Sequence, residues 1–536
     1  MGFNSSRAQW ICSPLVGWAL LSSAVSPAWA QVPAAPATTT PDNSTTGTAP
    51  SPAVPGAGGS QPTGIVPGTI VAPTTPAEGT TQDNTTPGGI PPAAGATAGS
   101  TSRPTDTTRT TGFAGLPNPQ TAPPSFTSST GQLLYGAPVG ASIPTFGGNA
   151  TAGELGIAVG AFTLYPAIDI NTGIDSNVFA QSYSQGSTGS PYTTIVPSVE
   201  LRSNWLNHEL RMALTGGFGF YSNAPTQNYQ NYALMVDGKI DIHEDFYITP
   251  GIGFRRATEA LGTPNVAFAQ APTVVNSVPV KLGIYQRFNR FFYDAGASAT
   301  RYWFTDYSTI TPSGLSGANR DRYEVEEHVR LGYEITDDVS LYVQPTFGQI
   351  RYINPVNSAD QERDSNNFGL GFGATWVVDP TTSFDGNIGL TSRSYNGGSF
   401  SNTSDVIGTL SGTWNRYAPL TLRPSISRSM QESSLSNYKS ILLTAFGLDF
   451  SYVIHDEWTA NGGVSYSLSD YIPADGLGAT PRTDKIFRGQ IGFMYSLRPQ
   501  VAIGPVFEYT QGSSTDPTNG PSYDRETISI RLTARR

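Results

Sequence analysis

The sequence predicts an all-β protein: a transmembrane antiparallel up-and-down β-barrel of about 18 strands, within a range of about 16 to 18, preceded by a disordered N-terminal segment. Three observations carry this expectation. From Gly156 onward, segments of roughly ten residues alternate apolar with polar or small side chains. The connections between them alternate short and long. The polar set also holds charges and glycines where a soluble sandwich would place core formers. Composition agrees, since 58 Gly and 42 Pro among 536 residues, with 25 Tyr and 25 Phe, disfavour helices and suit strands and turns. The net charge of −10 and the lack of any Lys/Arg run exclude nucleic acid as an expected partner, because phosphate binding needs concentrated positive charge.

Residues 1–30 have the form of a signal peptide. Arg7 supplies the positive start, Trp10 to Val25 an apolar stretch broken by Pro14, and Ala28-Trp29-Ala30 the small residues that a signal peptidase accommodates. Cleavage after Ala30 would remove Cys12, the sole cysteine, leaving no thiol, disulfide or cysteine metal site. Residues 31–155 are mainly Pro, Thr, Ala, Gly and Ser, with charge only at Asp42, Glu78, Asp83, Arg103, Asp106, Arg109 and Glu154. Too few aliphatic anchors are present to offset the entropy of ordering, so this stretch is expected to be an extended, disordered periplasmic arm or linker.

Residues 156–536 are expected to be the outer-membrane barrel. In one segment Leu210, Met212, Leu214, Phe218 and Phe220 alternate with Glu209, Arg211, Ala213, Thr215, Gly217 and Gly219. In another, Tyr323, Val325, Val329, Leu331 and Tyr333 alternate with Glu324, Glu326, His328, Arg330 and Glu334, with Glu327 the exception on the oily side. Period two with one oily and one wet face is the pattern of a lipid-facing, water-lined strand. Short connections such as 205–208, 243–245, 288–290, 336–338, 379–381, 415–417, 455–457 and 497–499 separate longer ones at 176–190, 258–273, 306–319, 353–365 and 511–522. Tight turns on one rim and long loops on the other are the outer-membrane arrangement.

An apolar-x-Pro-x-apolar motif recurs around Pro166, Pro250, Pro345, Pro424 and Pro505, spaced for every fourth strand and on the oily side. Proline lacks a ladder donor, so each is expected at a bulge or at the strand end near the short-turn rim.

The run Phe162-Thr163-Leu164-Tyr165-Pro166-Ala167-Ile168, followed by Gly173-Ile174-Asp175-Ser176-Asn177-Val178-Phe179 and then hairpins to the end, resembles the putative beta-barrel porin 2 family of exported Gram-negative proteins. The resemblance implies a barrel in the cell outer membrane, in contact with outer-membrane lipid and built by the barrel assembly machinery. It also implies an association of some members with exopolysaccharide export. Many barrels end in an aromatic residue, whereas this sequence ends Arg535-Arg536.

A closed barrel of about 18 strands leaves an aqueous lumen. Parity assigns to its wall Glu200, Arg202, Arg211, Asp237, Lys239, Arg255, Lys281, Arg287, Asp294, Glu324, Glu326, Arg330, Arg393, Arg423 and Arg488, together with Asp169, Asp241, Asp385, Asp449, Glu508 and Arg531. Rows of both signs set up a transverse field that orients a hydrated polar solute, or they simply pair and hydrate the wall. Trp205, Phe246, Phe291, Trp376, Trp414 and Trp458 are expected in one aromatic girdle and Tyr221, Tyr302, Trp303, Tyr352 and Tyr466 in a second. Inward tyrosines such as Tyr165, Tyr285 and Tyr342 offer rings on which a sugar could stack.

No catalytic, metal or cofactor-binding residues are expected. His208, His243 and His455 fall in or beside short turns, and mid-strand His328 has no elbow serine or paired metal ligand with it. Loop carboxylates Asp360, Glu362 and Asp364 fit a solvated loop as well as a calcium site. The expected function is a porin-like channel for hydrophilic solutes. The alternative is a non-conducting anchor or adhesion protein with a loop-plugged barrel, and in either case the arm would reach peptidoglycan or a periplasmic export component.

Overall fold

Alternation in the sequence becomes a single antiparallel sheet closed on itself. The computed structural model describes residues 156–263, 272–305, 317–357, 359–379, 381–417, 419–518 and 520–536, apart from the side chains at 183, 317 and 318. The leader and arm expected over 1–155, and much of the loops expected over 258–273 and 306–319, lie outside the described residues.

The strands are β1 (Ile157–Val159), β2 (Phe162–Asp175), β3 (Ser190–Ser203), β4 (Glu209–Tyr221), β5 (Tyr229–His243) and β6 (Phe246–Glu259). They continue as β7 (Thr273–Phe288), β8 (Phe291–Phe304), β9 (Arg322–Glu334), β10 (Val339–Tyr352), β11 (Ser365–Asp379) and β12 (Thr382–Tyr395). The last are β13 (Thr403–Thr413), β14 (Leu420–Gln431), β15 (Tyr438–His455), β16 (Trp458–Pro473), β17 (Arg482–Arg498), β18 (Val501–Ser514) and β19 (Tyr523–Arg535). Each of β2 to β19 pairs with its chain neighbours, and β19 returns to β2 from Thr527↔Asp175 to Arg535↔Ala167. Eighteen strands therefore close, as the segment count predicts.

Short β1 completes the seam. β3 pairs with β2 along its whole length, while on the other edge β19 covers Ala167 to Asp175 and β1 covers Phe162 to Leu164. Arg536 N donates to Pro166 O at 3.1 Å between them. An exposed row of ladder groups at membrane depth is thereby avoided.

β2 has 14 residues. At about 3.3 Å per residue and a tilt of about 40°, it rises roughly 35 Å, more than the apolar belt of about 25 Å that an outer-membrane barrel presents. The large exposed side chains are those of the oily set: Phe372 is 62% exposed, Ile388 65% and Ile528 64%. In water such a belt would be covered; in a bilayer it is the solvated surface. Polar groups of the other face are buried, Asp175, Arg322, Arg393 and Asp484 among them, together with inward tyrosines and Ile441, Leu442 and Leu443 of β15.

Pro166, Pro250, Pro345, Pro424 and Pro505 fall on β2, β6, β10, β14 and β18, every fourth strand, as predicted. They mark neither a bulge nor a strand end. Each sits inside the half of its strand nearer the short turns, and the register is unbroken there: β10 pairs with β9 at Val343↔Leu331 and at Thr346↔His328, leaving only Pro345 and its neighbour out of the ladder. The missing N–H removes one rung toward the preceding strand, and the partner on the other side, Leu370 for Pro345, is kept. Four register shifts occur instead beside short turns, at Asp241/His243, Val377/Asp379, Val453/His455 and Ser496/Arg498, and one at the long-loop rim, at Tyr438/Ser440. Strands also run further than predicted at the long-loop rim, taking in Thr258–Glu259 and 511–514.

The second aromatic girdle needs correction. Tyr221, Tyr302 and Tyr352 lie on the polar face and are buried, because an odd position on β4 and even positions on β8 and β10 point that way. Phe220, Tyr232 and Tyr323 are exposed on the apolar side near the long loops instead.

Candidate functional site

All fifteen candidate residues stand at positions that alternate with the exposed apolar set, so they share the polar face of the sheet. Strand register then aligns six of them. A single row of register partners runs Thr163, Arg202, Arg211, Asp237, Gly251, Lys281, Ser298, Glu326, Gly348, Asn367, Arg393, Thr403, crossing from β2 to β13. Because barrel strands are staggered, this row climbs from the short-turn end of β2 to the long-loop end of β12. Charges of both signs thus follow a tilted track along half of the wall.

The track is cross-linked. Glu200 binds Arg202 and accepts from Arg211 at 2.8 Å, and Lys281 reaches Asp237 at 2.6 Å. The latter pair bridges over Gly251 on the intervening strand, where a Cβ would meet the Asp237 carboxylate at 2.8 Å. Lys239 binds Asp241 at 2.8 Å and lies 4.8 Å from the Tyr247 ring centre; Arg287 binds Glu334 at 2.7 Å; Arg322 binds Glu324 at 2.7 Å. Arg330 reaches across two strands to Asp385 at 3.4 Å, donates to Gln344 at 3.0 Å and covers the Tyr342 ring at 3.9 Å, while Thr375 donates to the same carboxylate at 2.6 Å. Arg393 binds Glu432, and Arg488 faces Glu508 at 3.4 Å. Asp294 is opposite Arg330 in register and 4.0 Å from His328 Nε2. Among the described residues, Arg255 and Glu326 make no ion pair. Arg423 and Arg488, on β14 and β17, stand apart from the track, Arg423 opposite Asp449.

A selection by charge misses the opposite wall. On β13, β14 and β16 the polar face carries Thr409, Ser411, Ser425, Ser427, Ser429, Ser465, Ser467 and Ser469, with Arg423 of β14 and Asp449 of β15 as an opposed pair of charges among them. The signal was present as serine at every second residue in 425–429 and 465–469. Hydroxyls both donate and accept, so this wall hydrates a solute without favouring a sign.

The tyrosine rings named as sugar platforms are engaged on at least one face. Tyr285 stacks between Tyr247, at 4.9 Å, and Phe292, at 6.1 Å; Arg330 covers Tyr342; Arg202 lies 5.1 Å from the Tyr165 ring centre.

The mouth on the long-loop side is closed in by contacts between loops. Ala260, Leu261 and Thr263 are buried, and Gly262 takes φ +81°, where a Cβ would come within 2.6 Å of Ala180 and Tyr523. The start of the β6–β7 connection therefore reaches the polar face of β19, across the positions of β2 to β5. Arg320 holds its base with a bidentate pair to Glu259 at 2.7 and 2.8 Å, the two side chains only 5% and 4% exposed. Arg363 donates to Asn319 O and lies 3.9 Å from the Tyr352 ring centre; Glu362 N donates to Ser399 Oγ at 3.3 Å. Ser401 donates its N–H to Asp475 at 2.5 Å, and Lys439 donates to Ser401 Oγ at 2.8 Å. The Ser401 N–H first, then its hydroxyl and Lys439, hold the Asp475 carboxyl below the ordinary aspartate range. None of these pairs was legible in the sequence, since Glu259 and Arg320 are 61 residues apart and carry no motif.

A closed antiparallel barrel with an apolar belt, a hydrated polar wall and unequal rims defines a porin-like β-barrel of the outer membrane. More narrowly, the chain belongs to the putative beta-barrel porin 2 family, whose profile matches residues 150–536 and so takes in every strand. Among curated proteins, no sequence relative matches. Among solved structures the chain is similar to OccAB3 of Acinetobacter baumannii, at 10% identity over 70% of this chain and 99% of that one, with a TM-score of 0.37. It is similar also to the outer membrane protein opdK from Pseudomonas aeruginosa, at 10% identity over 70% and 98%, TM-score 0.37. A third is the FrpB iron transporter from Neisseria meningitidis in its apoprotein form, at 8% identity over 71% and 82%, TM-score 0.38.

Proposed function

We propose that this barrel is a channel for small hydrophilic solutes and that the tilted charge track is its selectivity element. The observation that carries the reading is the alignment of Arg202, Arg211, Asp237, Lys281, Glu326 and Arg393 in one register row, facing a wall of hydroxyls. Fixed charges of both signs on a water-lined wall orient a dipolar solute and replace part of its hydration at each step. Residues 1–30 would direct export from a Gram-negative cytoplasm, the barrel assembly machinery would insert the barrel, and residues 31–155 would reach peptidoglycan or a periplasmic export component. The link to exopolysaccharide export rests on the family resemblance.

Fastened loops favour a second reading, a barrel closed at its long-loop mouth and serving as an anchor or adhesion protein. Single-channel conductance of the purified protein in a planar bilayer separates the two. Stable steps with ion selectivity support the channel, and block by an oligosaccharide supports a saccharide solute. Correctly folded protein without conductance, both with and without residues 31–155, overturns the channel in favour of the anchor.

A further inference from the structure

The apolar face carries a cationic patch at the long-loop rim. Arg301 on β8, Tyr323 on β9 and Arg351 on β10 are direct register partners, with Tyr323 in the middle. Tyr323 is 42% exposed and Arg301 is exposed, on the side of the sheet that bears Phe347 and Leu331. The next row toward the rim runs Tyr232, Arg256, Asn276, Trp303, adding a third arginine on β6.

Among the described residues none of these arginines pairs with a carboxylate. Arg301 lies over Trp303 and Tyr323, at 5.8 and 5.5 Å from the ring centres. Arg351 donates to Ser365 O at 2.6 Å and to Asn366 Oδ1 at 2.5 Å, and Arg256 to Asn276 Oδ1 at 3.5 Å. Within β9 the nearest acid on this face, Glu327, is four residues deeper, between Ala297 and Phe347. A guanidinium on a lipid-facing wall is stable where it meets an anion at the interface, and its planar fork matches phosphate oxygens. Two strand spacings put Arg301 and Arg351 roughly 10 Å apart, with an aromatic ring between them.

We infer that Arg301, Tyr323 and Arg351, with Arg256 beside them, form a docking site for the phosphate groups of a phosphorylated glycolipid headgroup in the leaflet on the long-loop side. The arginines take the phosphates and the Tyr323 and Trp303 rings lie at the depth where sugar meets acyl chain. Charge sets the occupant: the patch offers three cations to a membrane surface, and the acids at its loop edge, Asp321 and Asp364, accept from the backbone N–H groups of Phe304 and Tyr352.

The test is retention of lipid A by the full-length protein during purification in a neutral detergent, against lipid A from which both phosphates have been removed. The wild type should retain the phosphorylated form, and R301Q/R351Q should lose it by roughly thirtyfold, on the scale of two basic side chains near an anionic surface. Lys485→Gln, removing an outward lysine on β17, should leave retention unchanged. A folded barrel in each variant is checked by its heat-dependent shift in gel mobility. Equal retention of the two lipids by the wild type, unchanged retention by R301Q/R351Q, or an equal loss in K485Q would each overturn the site.

Discussion

Removing one charge at the mouth should release the segment that crosses it. Arg320 and Glu259 are both almost wholly buried and joined by two hydrogen bonds, so Arg320→Ala leaves a carboxylate at depth without a counter-charge. Breaking such a pair typically costs about 3–5 kcal/mol, because the orphaned ion keeps its desolvation penalty and loses its attraction. Against a two-state loop this shifts the closed-to-open ratio by roughly two to nearly four powers of ten. The barrel itself should stay intact, since eighteen paired strands do not depend on this contact. Two readouts follow: larger or noisier single-channel steps in a planar bilayer, and new chymotryptic cleavage at Leu261, which is buried in the wild type. E259M/R320M should restore closure, as an apolar pair of similar volume is often neutral or better than a buried ion pair. If R320A changes neither steps nor cleavage, or if the double variant is as open as the single one, the ion pair is not what holds the loop.

Other consequences can be checked in parallel. Lys281→Glu sets a second carboxylate beside Asp237 across Gly251, with Glu326 two strands further along the tilted track, and should move the reversal potential toward cation preference, while K485E on the outer face should not. Gly332→Ala puts a methyl into the Phe292 ring, which is itself stacked on Tyr285, and overpacking of this kind costs about 1–3 kcal/mol, read as a lower temperature for the gel-mobility shift. The loop clasp of Ser401, Lys439 and Asp475 should depend on pH. Its carboxyl is held below the ordinary value of 3.8, so the stabilisation is present above that value and lost as the pH falls through the depressed one. Hydrogen exchange at the Ser401 amide should therefore rise only in strong acid, whereas in Asp475→Asn it should be raised and pH-independent once intrinsic exchange is subtracted.

Much of this barrel was legible because β-structure in a membrane obeys short-range rules. The alternation Leu210, Met212, Leu214 against Arg211 and Ala213 gives the two faces without reference to any partner strand, and turns such as Asn289-Arg290 mark the ends. The spacing of Pro166, Pro250, Pro345, Pro424 and Pro505 even placed them on every fourth strand. Where the local rules fell short, a distant neighbour decided. Tyr221, Tyr302 and Tyr352 read as interface aromatics, yet parity and burial put them on the polar side, where Arg525, Arg322 and Arg363 are among their neighbours.

Strand number, the polarity of each face and the unequal rims were thus determined by the sequence itself, since each rests on residues within one hairpin of each other. Tertiary structure alone decided three things: the register that sets Arg202, Arg211, Asp237, Lys281, Glu326 and Arg393 in one row, the reach of Gly262 to Tyr523, and the pairing of Glu259 with Arg320. The physical reason is closure. Stagger accumulates over all eighteen strands before β19 meets β2, and loops find partners only across the mouth that closure creates.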